Sequence, residues 1–150
     1  MGCDIHVFRE VKKDGKWECL DSSYEENEGT DAEPDMRTYL DGPHIPRNYW
    51  LFGVLSNGVR TEWPFAFEAQ GLPDDVSAPI QEESDRWDID GHSHSWRTIE
   101  ELQLKAAELV ILPNPHANQC ASYLRDVLSR LEWPEGVPPN DCRVVFWFDN

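Results

Sequence analysis

Two short polar signatures hold most of the side chains in this sequence that can bind a metal or move a proton. Met1-Gly2-Cys3-Asp4-Ile5-His6 opens the chain, and Asp90-Gly91-His92-Ser93-His94-Ser95-Trp96 lies in its middle. Three of the five histidines fall within these thirteen residues. In an extended segment alternate side chains share a face, so Asp4 is expected beside His6 and His92 beside His94. Each pair can present two ligands to one divalent ion, and imidazole with carboxylate suits Zn, Mn or non-haem Fe. The expected centre is a mononuclear or dinuclear metal site of Asp4, His6, His92 and His94. Asp90, Asp88 or Asp149 would be a further ligand or base. An open site keeps one position for water. Water bound there has its pKa lowered to about 7 and can attack an ester or phosphodiester at neutral pH. Ser93 and Ser95, on the opposite face of the segment, would orient outer groups. The plainer alternative makes His92-Ser93-His94-Ser95 a polar linker whose histidines are satisfied by backbone groups.

Arg47-Asn48-Tyr49 follows Pro46 and opens a helix. Arg47 is placed to neutralise a substrate phosphate near a helix amino terminus, with Asn48 as cap or hydrogen bonder. A cap followed by an apolar Tyr49 explains the same residues without a ligand. Cys3 as nucleophile, with His92 or His94 as base, requires a thiolate. Alternation puts Cys3 with Ile5 and Val7 on an apolar face, which opposes that. His44 and His116 are isolated and read as surface or capping residues. There is no phosphate-cradling glycine loop, dinucleotide fingerprint or basic aromatic patch.

The elements that must position these residues fit one α+β domain over 1–150. Residues 3–9 alternate like a strand, and Asp14-Gly15 between that run and Trp17-Glu18-Cys19-Leu20 signals a hairpin. Residues 22–46 are acidic, with Gly29, Pro34, Gly42, Pro43 and Pro46, and read as a long surface loop. Arg47 to Asn57 reads as a buried helix ended by Gly58. Residues 59–90 read as irregular, with at most one short strand. Thr98-Ile99-Glu100-Glu101 is a capping box, starting a helix to about Val110. Asn114-Pro115 starts a second, to about Leu131, with apolar positions at helical spacing. Cys142 to Phe148 is an apolar, β-branched and aromatic run, expected at the sheet centre beside the amino-terminal strand. The fold class is a mixed or antiparallel sheet that includes both terminal strands, covered by two or three helices. Trp133, Phe146, Trp147 and Phe148 read as core.

Composition narrows the partners. The chain has 29 acidic and 13 basic residues, a net charge of −16, which repels nucleic-acid backbones and anionic membranes. Polymeric DNA or RNA is excluded as a substrate on this ground. A small anionic nucleotide remains if bound metal and local arginine reverse the field inside one pocket. The 39% apolar content and seven tryptophans are too rich for a disordered chain. No apolar run approaches the roughly 20 residues that span a bilayer, and no secretory signal is evident, so a cytoplasmic protein is expected. The four cysteines lack zinc-finger spacing and are expected reduced. A homo-oligomer is compatible with this composition.

The chain resembles a family of uncharacterised bacteriophage and bacterial proteins that open with the same Gly-Cys-Asp-Ile-His run. The resemblance continues through Arg47-Asn48-Tyr49 with Leu51-Phe52 and Gly71-Leu72-Pro73 with Asp75-Val76-Ser77. It extends to Gly91-His92-Ser93-His94-Ser95-Trp96 and the ending Arg143-Val144-Val145-Phe146-Trp147-Phe148-Asp149-Asn150. What it implies is a phage context, with no roles for residues. From the residues, the leading expectation is a metal-dependent phosphodiesterase that degrades a small cyclic nucleotide signal in phage counter-defence, working in the host bacterial cytoplasm. Asp4, His6, His92 and His94 would hold the ion, Asp90 would be the base and Arg47 would neutralise phosphate. The alternative is non-enzymatic: a sponge for a nucleotide, or an acidic mimic of nucleic acid that blocks a host defence nuclease.

Overall fold

The computed structural model describes residues 2–25 and 37–150. Strand β1 (Ile5–Lys13) turns at Asp14-Gly15 into β2 (Lys16–Cys19). Both turn residues have positive φ, 51° and 79°, as a two-residue hairpin with the twist of its strands requires. The ladder order is β2-β1-β6-β5, with β5 (Gly91–Thr98) at one edge and β6 (Cys142–Asp149) between β1 and β5, all pairs antiparallel. Both terminal strands thus lie side by side, and seven of the eight residues of β6 are buried. Its apolar density allows no solvent face.

One side of the sheet carries α1 (Tyr49–Leu55), α3 (Ile99–Ile111) and α4 (Pro115–Arg130). Their apolar stripes, among them Leu51, Phe52, Leu102, Leu124 and Val127, close over Ile5, Val7, Val144, Phe146 and Phe148. The capping box forms as read: Thr98 Oγ1 accepts the Glu101 N–H, and Glu101 accepts the Thr98 N–H. Asn114 caps α4 with Pro115 at its first position, and Asn48 caps α1.

The other side packs Phe8, Val145 and Trp147 beneath Ile80, Leu72, Val76 and Trp87. Ile80 and Trp87 belong to α2 (Ala78–Trp87), a helix within the stretch the sequence suggests is irregular. Pro79 sits at the helix start, where its missing N–H costs nothing, so a residue that reads as a breaker is an initiator here. The expected long loop at 22–46 is also partly ordered, as β3 (Ser22–Glu25) pairs antiparallel with β4 (Arg37–Leu40). Residues 26–36 lie outside the described residues.

A buried ion network ties the two layers of this side together. Arg143 on β6 is 1% exposed, and its Nε donates to Glu10 Oε1 at 2.7 Å. Its Nη1 donates to Asp75 at 2.9 Å, and Glu10 Oε2 accepts the Ser77 N–H at 2.7 Å. The network therefore fixes the loop that delivers α2 to the sheet.

Candidate functional site

Four separate segments meet at the end of the sheet where β1 begins and β6 ends. Asp149 pairs with the start of the chain: its Oδ1 accepts the Asp4 N–H at 2.8 Å, and its own N–H donates to Asp4 O at 3.1 Å. Its Oδ2 stands 3.0 Å from His6 Nε2. Arg47, just before the α1 cap, forms a fork on Asp4, Nε to Oδ1 at 2.9 Å and Nη2 to Oδ2 at 3.0 Å. This ion pair holds the Asp4 carboxyl below the usual carboxylate range. Asn150 Nδ2 donates to Gly2 O, and Arg60 donates to Asn150 O. Tyr49 closes the cluster, its hydroxyl accepting the Cys3 N–H.

The expected four-ligand centre does not assemble. His6 lies opposite Trp147 in the β1–β6 register, and β6 separates β1 from β5. The indole stands between the two imidazoles on that face, its centroid 6.3 Å from His6 and 5.5 Å from His94. With the buried Trp147 ring between them, His6 Nε2 engages Asp149 and His94 Nε2 engages Ser84, so the two imidazoles are turned to different partners rather than to one point. His92 and His94 also fail to share a face. His92 pairs with Phe148 and Ser95 with Phe146, so Ser93 and His94 together oppose one residue, Trp147. Ser93 takes φ 55° in this bulge. The extra residue turns His94 to the Trp147 side while His92 lies by Phe148. Among the described residues no group of three or more His, Cys, Asp or Glu side chains is arranged to hold an ion.

What the structure does bring together is His6 with Asp149, at the ridge between two open clefts. The first, of about 470 Å³, is lined by Asp4, His6, Asp41, His44 and Glu83 with Trp87. The second, of about 520 Å³, is lined by Asp90, His92, Asp149 and Asn150, with Ile89 and Trp87. Trp87 walls both, its ring 4.2 Å from that of His6. Asp90 thus reaches the second cleft as an exposed side chain, while Arg47 stays at the rim, committed to Asp4. His94 is held inside by Ser84, Oγ to Nε2 3.0 Å, and burial, then the nearby His92, pushes its pKa down. Cys3 is fully buried, and burial pushes its thiol pKa up, against a nucleophilic role. Ser95 is buried as well, its hydroxyl accepting the Gln70 N–H and so pinning a loop rather than a ligand.

Strain marks the same end of the molecule. Of the five described non-glycine residues with positive φ, four border it: Arg60, Asp88, Ser93 and Asn150. Such backbone persists only where the surroundings over-determine it, and it gathers at functional sites. No known protein family, curated protein or solved structure matches the chain. Trp87, Ser84 and Asn150 are the site residues that motif spacing does not reveal. Trp87 ends a helix that the prolines around it disguise, and Ser84 follows Ile80 by one helical turn.

Proposed function

We propose that the protein is a hydrolase of compact anionic nucleotides, a phosphodiesterase whose working pair is His6 and Asp149. The carrying observation is the 3.0 Å approach of His6 Nε2 to Asp149 Oδ2 on the ridge between the clefts. Asp149 is fixed by the Asp4 N–H, so it orients the imidazole; with Nε2 carrying the proton, Nδ1 is the basic nitrogen. Trp87 offers an aromatic face to a base, since stacking on such a ring tolerates any nucleobase. The substrate class in this reading is a cyclic signalling nucleotide.

The clefts also carry Asp4, Asp41, Glu83 and Asp90, so an anion entering them benefits from a divalent cation. Neighbouring ligands of an octahedral ion with bonds of about 2.1 Å stand about 3.0 Å apart, the spacing of the pair. With the other tautomer, in which Nε2 is unprotonated and the hydrogen bond to Asp149 is given up, His6 Nε2 and Asp149 Oδ2 fit instead as two protein donors to a hydrated ion of the Mn type, with water and substrate completing it. Such an ion would supply charge neutralisation at the phosphate. Zn or Fe, which favour three protein ligands, fit this donor set less well. Asp90, which also lines the second cleft, serves as the second carboxylate, and Arg47 reaches phosphate only by leaving Asp4.

The test is turnover of cyclic dinucleotides and trinucleotides by untagged protein, with Mn and after chelation. Cleavage that requires Mn supports the whole reading, and cleavage that survives chelation assigns the pair as a metal-free base. Binding without cleavage selects the nucleotide sponge. The net charge of −16 favours one further reading, an acidic mimic that occupies a host nuclease, which neither binding nor cleavage would leave standing.

A further inference from the structure

Ile89 is 89% exposed, the most exposed large apolar side chain among the described residues, and it lines the second cleft together with Trp87. A lone exposed isoleucine is ordinary on a protein surface. This one stands on a turn whose backbone is strained. Asp88, where α2 ends, has φ 48° and ψ −126°, outside the left-handed helical well and in a region that glycine enters freely and a side chain does not. The turn is pinned at both ends, the Asp88 N–H donating to Ser84 O and the Gly91 N–H to Asp88 O. Ser84 is itself buried, with its hydroxyl against His94. The fold thus fastens a strained turn to its interior and presents Ile89 to the cleft instead of to the core. Strain of this kind gathers at ligand clamps.

We infer that Ile89 is a specificity residue of the second cleft, which with Trp87 grips the planar base of the nucleotide and binds it without a metal ion. The inference rests on the phosphodiesterase reading for the ligand's class and deepens it by dividing the ligand's recognition in two. The cleft carries Asp90 and Asp149, so a phosphate needs a cation there, whereas an uncharged ring is not repelled. Trp87 supplies an aromatic face and Ile89 an aliphatic one, and both surfaces suit any nucleobase. A base covering Ile89 also removes from water the apolar area that the turn leaves exposed. The base therefore docks first and on its own, and the phosphate is held by the ion.

Isoleucine δ-methyl resonances of the ¹³C-labelled full chain report this contact, the Ile89 signal being identified by its loss in Ile89→Val. Titration with adenosine, with chelator and no added metal, should move that signal upfield to saturation, because a methyl over a ring face is shielded. Ribose phosphate, which lacks the base, should leave it unmoved. Ile89→Ser should weaken adenosine about fivefold or more. The same variant should keep its Tm, since so exposed a side chain has few contacts to lose. If cyclic dinucleotides are cleaved with Mn while neither they nor adenosine move the Ile89 signal, the inference fails and the phosphodiesterase reading stands. An Ile89 shift with adenosine in a protein that neither binds nor cleaves cyclic nucleotides keeps the base clamp and removes that reading. If no probe moves the signal and none is cleaved, both fail.

Discussion

Replacing Arg143 by Met tests how α2, and with it Trp87, is held over the sheet. The substitution keeps most of the side-chain volume and removes the charge. Glu10 is 0% exposed and would keep only the Ser77 N–H as a partner. Asp75, whose side chain is 65% exposed, would return to water at little cost. The loss is therefore that of a buried carboxylate deprived of its cation, about 3–5 kcal/mol. For a chain of this length that corresponds to a fall in Tm of about 6–20 °C. Thermal unfolding followed by circular dichroism, with chemical denaturation as the second measure, reads it. Adding Glu10→Gln should recover much of the loss, because an amide oxygen still accepts the Ser77 N–H and no charge remains buried. A single variant that loses less than about 1 kcal/mol would refute the reasoning, since surface ion pairs are worth that much.

Further outcomes follow from the same geometry. Burial holds the His94 pKa below its ordinary 6.5, so the unfolded chain binds that proton more readily; His94 contributes nothing above neutrality and lowers stability as the pH falls through about 6.5 towards its folded value. His94→Asn should flatten that acid slope in pH-dependent melts, and an unchanged slope would contradict it. Gly53→Ala should destabilise by about 1–3 kcal/mol despite the helix preference for Ala, because the new Cβ would meet Thr61 O at 2.5 Å. Thr98→Ala should cost about 1 kcal/mol through loss of the capping box, read by denaturant midpoint.

The fold was legible where local signals agreed with tertiary demands. Asp14-Gly15, the Thr98 capping box, Asn114-Pro115 and the apolar run to Phe148 each name a structure that one segment can specify. The α2 helix was hidden because its stripe is thin, essentially Ile80, Ser84 and Trp87, and because Pro79 is ambiguous without knowing whether a helix follows. The site was half legible. Asp4 and His6 line one cleft as alternation expects, whereas His92 and His94 do not share a face, and Asp149 is among the further ligands or bases the sequence offers. Strand order and bulges, however, are not written in spacing. Neither the insertion of β6 between β1 and β5 nor the Ser93 bulge has a local signature, and these two features set Trp147 between His6 and His94 and turn His92 away.

The claim that His6 and Asp149 form the working pair is tested most directly by Asp149→Asn in a cyclic-nucleotide cleavage assay under single-turnover conditions. Asn keeps the shape and can still accept the Asp4 N–H, so the fold should remain, verified by an unchanged circular dichroism spectrum. It removes the carboxylate that orients His6. The account predicts cleavage slowed by a factor on the order of 10² to 10⁴, the usual worth of a positioned acid or base. Wild-type cleavage that Asp149→Asn leaves undiminished would contradict it.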